Sequence, residues 1–165
     1  VTASAAQSSN RGRFLGWMLF SLCLVAADQI TKYWISSVFD YGESVRVTDF
    51  FNLVLAYNTG AAFSIFADAG GWQRIFFTAF ALLAVAVLSV LIRRKTEQSV
   101  LCLGFSLILS GAVGNAIDRI MLGHVIDFLD FHWMGYHWPA FNVADICICL
   151  GAAVVLSVEF FGIKR

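Results

Sequence analysis

Two aspartates stand inside runs of apolar residues, Asp127 in HVIDFLDFHW and Asp145 in FNVADICICL. An ionisable group in such company is costly, so each needs a reason to be there. Two carboxyls brought together can hold one proton between them, because close like charges cannot both ionise. The ionised one can take a proton from water while the protonated one donates to a carbonyl oxygen. That is general acid–base hydrolysis of a peptide bond, without metal or covalent intermediate. Taken singly, each acid has a plainer account. Asn142 caps a helix, Asp145 is a first-turn acid at its positive end, and Asp127 is an interfacial loop acid. That account leaves unexplained why both sit in apolar sequence at the same depth.

Other polar residues could support such a pair. Asp28 and Lys32 are four apart with the acid first, the favourable order for a helical ion pair. They form a salt bridge, or they anchor the site. Gly114-Asn115-Ala-Ile-Asp118-Arg119 puts Asn115 and Arg119 on one helix face, with Asp118 three residues from Asn115. The cluster can orient a neighbouring carboxylate, or Arg119 merely complements a helix C-terminus. Ser64 has no evident catalytic partner. Cys23, Cys102, Cys147 and Cys149 all fall in apolar runs and read as small core hydrophobes. His124, His132 and His137 lack zinc-like spacing, so no metal or cofactor is expected.

Of the 165 residues, 59% are hydrophobic and 13% charged, against about 45–50% and about 25% in soluble domains. With a mean hydropathy of +0.77, this excludes disorder, a coiled coil and an ordinary cytosolic domain. The balance of 11 basic and 11 acidic residues excludes a nucleic-acid binder. The fold class expected is an α-helical integral membrane protein, four transmembrane helices with a small β layer, in one domain. The spans fall at about 14–34, 75–92, 99–117 and 140–162, with 1–13 a flexible cytoplasmic N-terminus. The first run is too long to be a secretory signal, and later spans follow it.

Orientation follows from Lys and Arg. Seven fall at Arg11, Arg13, 93–95 and 164–165, and four at Lys32, Arg46, Arg74 and Arg119. Both termini are then cytoplasmic, and segments 35–74 and 118–139 face outward. Nine of the 11 acids lie on that outer side, which points to chemistry there. The stretch 45–66 reads as short β structure at the membrane interface. The second outer segment, with Phe128, Phe131, Trp133, Tyr136, Trp138 and Phe141, reads as an aromatic belt. Pro139 and Asn142 suit a helix start.

In five ordered blocks the chain resembles the bacterial lipoprotein signal peptidases, or signal peptidase II, an aspartyl intramembrane peptidase family. The blocks are Asp28-Gln-Ile-Thr31-Lys32, Asn58-Thr-Gly60-Ala61-Ala62-Phe63, Gly114-Asn115-Ala-Ile-Asp118-Arg119, Val125-Ile-Asp127-Phe128 and Phe141-Asn142-Val-Ala144-Asp145. With the spans, the likeness covers about residues 14–163; the N-terminal extension and 129–140 do not contribute. The resemblance implies a catalytic pair, Asp127 and Asp145. Asn58, Gly60, Asn115, Asp118, Arg119 and Asn142 would support the pair or the substrate, and Asp28 and Lys32 would be structural or near the substrate. It implies removal of the signal peptide from diacylglyceryl-modified prolipoproteins, just before the lipidated cysteine. The expected partners are those substrates, membrane lipid and globomycin-like inhibitors. The setting would be the bacterial inner membrane, with the site near its outer face, covered by a helix-like loop, and the chain a monomer. A proton- or ion-coupled transporter is the alternative, but no charge sits mid-span in the second or third run to form a relay. A non-catalytic assembly factor would need no paired acids.

Overall fold

Four helices long and apolar enough to cross a membrane carry a sheet at one end. The computed structural model describes residues 2–60 and 71–162, with side chains from residue 9. Ala61, Ala62, Phe63, Ser64, Asp68, Lys164 and Arg165 lie outside the described residues. The elements run α1 (Thr2–Val38), β1 (Ser44–Arg46), β2 (Phe51–Asn58), α2 (Trp72–Arg94), α3 (Ser99–Met121), β3 (Val125–Trp133), β4 (Tyr136–His137) and α4 (Val143–Phe161).

The stretch expected as a flexible tail is helical from Thr2. It has no proline to stop the helix, and the apolar run marks only the part a bilayer would cover. The fourth helix starts at Val143, not near 140. Phe141 is still bridged to Leu129 of the sheet, and Asn142 is the N-cap.

Helix α3 is central: 61% of its most apolar stretch is buried, against 17–22% for the other three. Small residues let α4 close on it. A Cβ on Gly111 would lie 2.2 Å from the Ala144 carbonyl oxygen, and one on Gly151 2.6 Å from that of Gly104. Such backbone approach is how helices pack where lipid removes the hydrophobic drive between them. Ser21 adds a hydrogen bond from α1 to the Ser106 carbonyl (3.1 Å). Of the cysteines, Cys102 and Cys147 are buried, but Cys23 and Cys149 are exposed on the helix surface, so the core reading holds for two.

The strands pair antiparallel in the order β1-β2-β3-β4. A register shift between Leu53 and Ala56 bends β2 where it meets β3. Strands β3 and β4 occupy the segment read as an aromatic belt. Their turn, Met134-Gly135, has both φ values positive (49° and 82°). Asn-Gly is the usual signal for such a turn, and Met in its first place hid the hairpin. Ile126 and Phe128 point to one face and pack with Leu55 on Ile35 of α1. Asp127, between them, is turned to the other.

Candidate active site

Asp127 and Asp145 come from different elements and meet through one residue, Asn142. Its side-chain Nδ2 donates to Asp127 Oδ1 (2.7 Å), and its backbone N–H donates to Asp145 Oδ2 (3.2 Å). The Asp145 N–H returns a bond to Asn142 Oδ1 (2.9 Å). This reciprocal pattern is a capping box that satisfies orphan N–H groups at the start of α4. The cap and the carboxyl pair therefore share Asn142 and the Asp145 carboxyl. Asp127 is buried and Asp145 partly buried.

Each carboxyl has a second amide donor. Asn58, at the end of β2, donates to Asp127 Oδ2 (3.1 Å), and Asn115 of α3 donates to Asp145 Oδ1 (2.8 Å). The Gly60 N–H donates to Asn58 Oδ1 (2.9 Å), which leaves the Asn58 amide nitrogen for Asp127. Burial, then the charge of Asp145, pushes the Asp127 carboxyl up to about 7; the bonds from Asn58 and Asn142 and the charge of Lys32 oppose the rise.

Below this pair lies a buried ionic cluster. Lys32 Nζ donates to Asp28 (2.9 Å), Asp118 (2.8 Å) and Asn115 Oδ1 (3.0 Å), using all its donors. Asp28 also accepts from the Ala144 N–H (2.9 Å), and Asp118 from the Ile126 N–H (3.2 Å). One cluster thus ties α1 and α3 to the starts of α4 and β3. Gly114 leaves room for it, since a Cβ there would lie 2.5 Å from Asp28 Oδ2. Asn115 joins the two layers: its oxygen accepts from Lys32 and from Asn142 Nδ2 (3.2 Å), and its nitrogen holds Asp145.

Arg119 donates to no carboxyl in the site. Its Nη2 donates to the Gly60 carbonyl (3.0 Å) and its Nη1 to the Asn115 carbonyl (3.3 Å). Arg119 stands in the last turn of α3, as the helix-end reading has it, and the last carbonyls there are bonded by Arg74 of α2, whose Nε and Nη2 donate to those of Arg119 (2.8 Å) and Ile120 (3.0 Å). Sequence reasoning passed over Arg74, and also Gln29, whose amide donates to Asp118 (2.9 Å), Asp28 (3.2 Å) and the Gly114 carbonyl (3.3 Å). Gln29 lay within a quoted block; Arg74 had only its charge to mark it.

A further buried acid, Asp130, stands apart from the pair. It accepts from Asn52 (2.8 Å) and meets His137 Nδ1 (2.9 Å). His132 stacks on His137, and His124 lies against Tyr57. Among the described residues no three His, Cys, Asp or Glu side chains are grouped to hold a metal ion.

The family model described as "Signal peptidase (SPase) II" matches residues 20–161. A lipoprotein signal peptidase of Ralstonia nicotianae is 50% identical over 163 residues, covering 98% of this chain and 94% of its own. One of Cupriavidus necator is 54% identical over 149 residues, covering 90% and 85%. A bacterial membrane enzyme structure obtained by the in meso method superposes with a TM-score of 0.78 at 28% identity, covering 91% of this chain and 93% of that one. A second gives 0.75 at 30%, covering 88% and 92%. None of these names, nor the confinement of buried charge to one end of the bundle, favours a transporter. This multi-pass membrane protein belongs to the signal peptidase II family.

Proposed function

We propose that Asp127 and Asp145 are the catalytic pair of an aspartic endopeptidase that removes the signal peptide from diacylglyceryl-modified prolipoproteins, cutting just before the lipidated cysteine. The observation that carries this is the double grip of Asn142, amide to Asp127 and backbone to Asp145. The names of the relatives support the substrate class. The two acids titrate jointly, and the position of Asp127 near 7 supports one retained proton at neutral pH.

In this reading the ionised carboxylate takes a proton from water, and the water oxygen attacks the carbonyl carbon. The protonated partner donates to the carbonyl oxygen, and collapse of the adduct sends a proton to the leaving nitrogen. Asn58, Asn115 and Asn142 hold the acids in place. Arg119, with Asn58, holds the scissile carbonyl or backbone near the pair, and Gly60 links the two. Asp28, Lys32 and Asp118 hold the elements that carry the pair.

The clustered Arg93, Arg94 and Lys95 at the opposite end support cytoplasmic termini, a site at the outer face of the inner membrane, and substrate entry sideways from lipid. The helices and sheet act as one membrane domain. The chain is read as a monomer, and a globomycin-like inhibitor would compete with substrate at the pair. The test is processing of a lipidated precursor by Asp127→Asn and Asp145→Asn. Each should abolish cleavage while the folded protein is retained; near wild-type cleavage by either ends the reading.

A further inference from the structure

The site's outer rim depends on a residue with no atom in it. Arg74 sits in the first turn of α2, exposed, and its guanidinium grips the last carbonyls of α3 at Arg119 and Ile120. Those carbonyls have no partner within their own helix, and a cation suits the negative end of the dipole. The chain turns directly over this guanidinium at Gly123 (φ 85°), where a Cβ would lie 3.3 Å from Nη1. One turn along α2, the Phe77 ring lies beneath the Arg119 guanidinium, 5.5 Å from centroid to Cζ. The first turns of α2 therefore hold Arg119 twice, by its backbone through Arg74 and by its side-chain face through Phe77.

Arg119 passes this on. Its Nη2 holds the Gly60 carbonyl, the Gly60 N–H holds Asn58 Oδ1, and Asn58 Nδ2 holds Asp127 (3.0, 2.9 and 3.1 Å). The buried Arg119 Nε has no hydrogen-bond partner among the described residues, so the side chain is not locked by its own bonds alone. We infer that Arg74 is a positioning residue for peptide cleavage, acting through Arg119 and Gly60 on the Asn58 side of the pair. The inference rests on the dyad reading above.

A double-mutant cycle on the full-length protein tests it, with kcat and KM measured on a lipidated precursor and Tm followed in detergent. Arg74→Met should lower kcat about tenfold, short of the roughly 10²-fold that a 1 Å misplacement can cost, with Tm near wild type. Arg74→Lys should recover part of the loss. In an Arg119→Gln background Arg74→Met should have no further effect, because its route is already cut. Wild-type kcat in Arg74→Met, or an equal loss in both backgrounds, overturns the inference. Should Arg74→Met fail to fold, Phe77→Leu carries the same cycle with the same two outcomes. Asp127→Asn, assayed in parallel, separates the two ideas: its inactivity with an additive cycle sinks Arg74 alone, and its activity sinks the dyad and this inference together.

Discussion

Two groups of buried carboxyls lie one above the other in this molecule, and they are built on opposite principles. In the lower layer Asp28 and Asp118 share one cation, Lys32, and receive backbone and amide N–H bonds as well. In the upper layer Asp127 and Asp145 share a residue, Asn142, and among the described residues no cation is bonded directly to either. A cation bonded to both acids, with backbone N–H groups on them as well, makes that layer a tie between α1, α3, α4 and β3. Amides between two acids align them without paying for both charges, so one proton stays. If the proposed pair is the catalytic one, the position of a single ammonium group is what separates scaffold from chemistry.

The sharpest way to break this comparison is to neutralise one acid in each layer. Asp127→Asn and Asp145→Asn should lower the cleavage rate by at least ~10³-fold, on the scale of losing general acid–base catalysis. Neither should unfold the protein, since Asn is close to Asp in size and each substitution leaves the ionic cluster below intact. Removing the cation below should do the reverse. Lys32→Met leaves two buried carboxylates facing each other, and breaking a buried pair in this way costs about 3–5 kcal/mol. Chemical unfolding in detergent would show the loss. The fraction that stays folded should keep cleaving, with its alkaline limit moved upward because the charge of Lys32 favours ionised Asp127. A Lys32→Met variant as stable as wild type would remove the distinction between the layers.

The layers were not equally legible in sequence. The second and third spans showed as uncharged runs and the first and fourth as apolar runs with a few charges near their ends, and Asp127 and Asp145 showed because their neighbours are apolar. The i,i+4 spacing of Asp28 and Lys32 announced a pair, but not that Asp118 completes it from α3 89 residues further along than Gln29, its other partner. Such closure depends on helix packing through Gly111 and Gly114, where a glycine pattern says only that something comes close. Asn142 read as an ordinary cap because it is one; that the cap also holds Asp127 depends on β3, which an aromatic-rich segment with Met at its turn concealed. Arg119 read either as support for the pair or as a helix-end charge; it does stand in the last turn of α3, but that Arg74 from α2 holds the last carbonyls there was not legible.

A pH scan sharpens the upper layer. An unfolded Asp127 titrates near its ordinary 3.8, while in the folded protein it lies at about 7. Between those values the native state keeps a proton that the unfolded chain has released. Its contribution to stability is therefore full below about 4, declines as pH rises toward 7 and levels off above it. Asp127→Asn should flatten that decline. Cleavage should fall on the alkaline side of about 7, as the shared proton is lost. A stability curve unchanged by Asp127→Asn across this window would show that the carboxyl does not carry the proton.

The smallest effect is expected at Asp130, a buried acid that belongs to neither layer. It is held by Asn52 across the β2–β3 pair and by His137 of β4. It therefore resembles Asp127 in strand and burial but lacks a second carboxyl beside it. If burial alone made an acid reactive, Asp130→Asn should matter as much as Asp127→Asn. If the paired arrangement is what matters, Asp130→Asn should leave cleavage nearly intact. Because the His137 side chain is 55% exposed, losing that contact should loosen the β3–β4 hairpin by at most about 1 kcal/mol. Hydrogen exchange at Trp133 and Tyr136 would register the loosening while the cleavage assay stays flat. A large activity loss at Asp130 would shift the chemistry along β3, away from the pair.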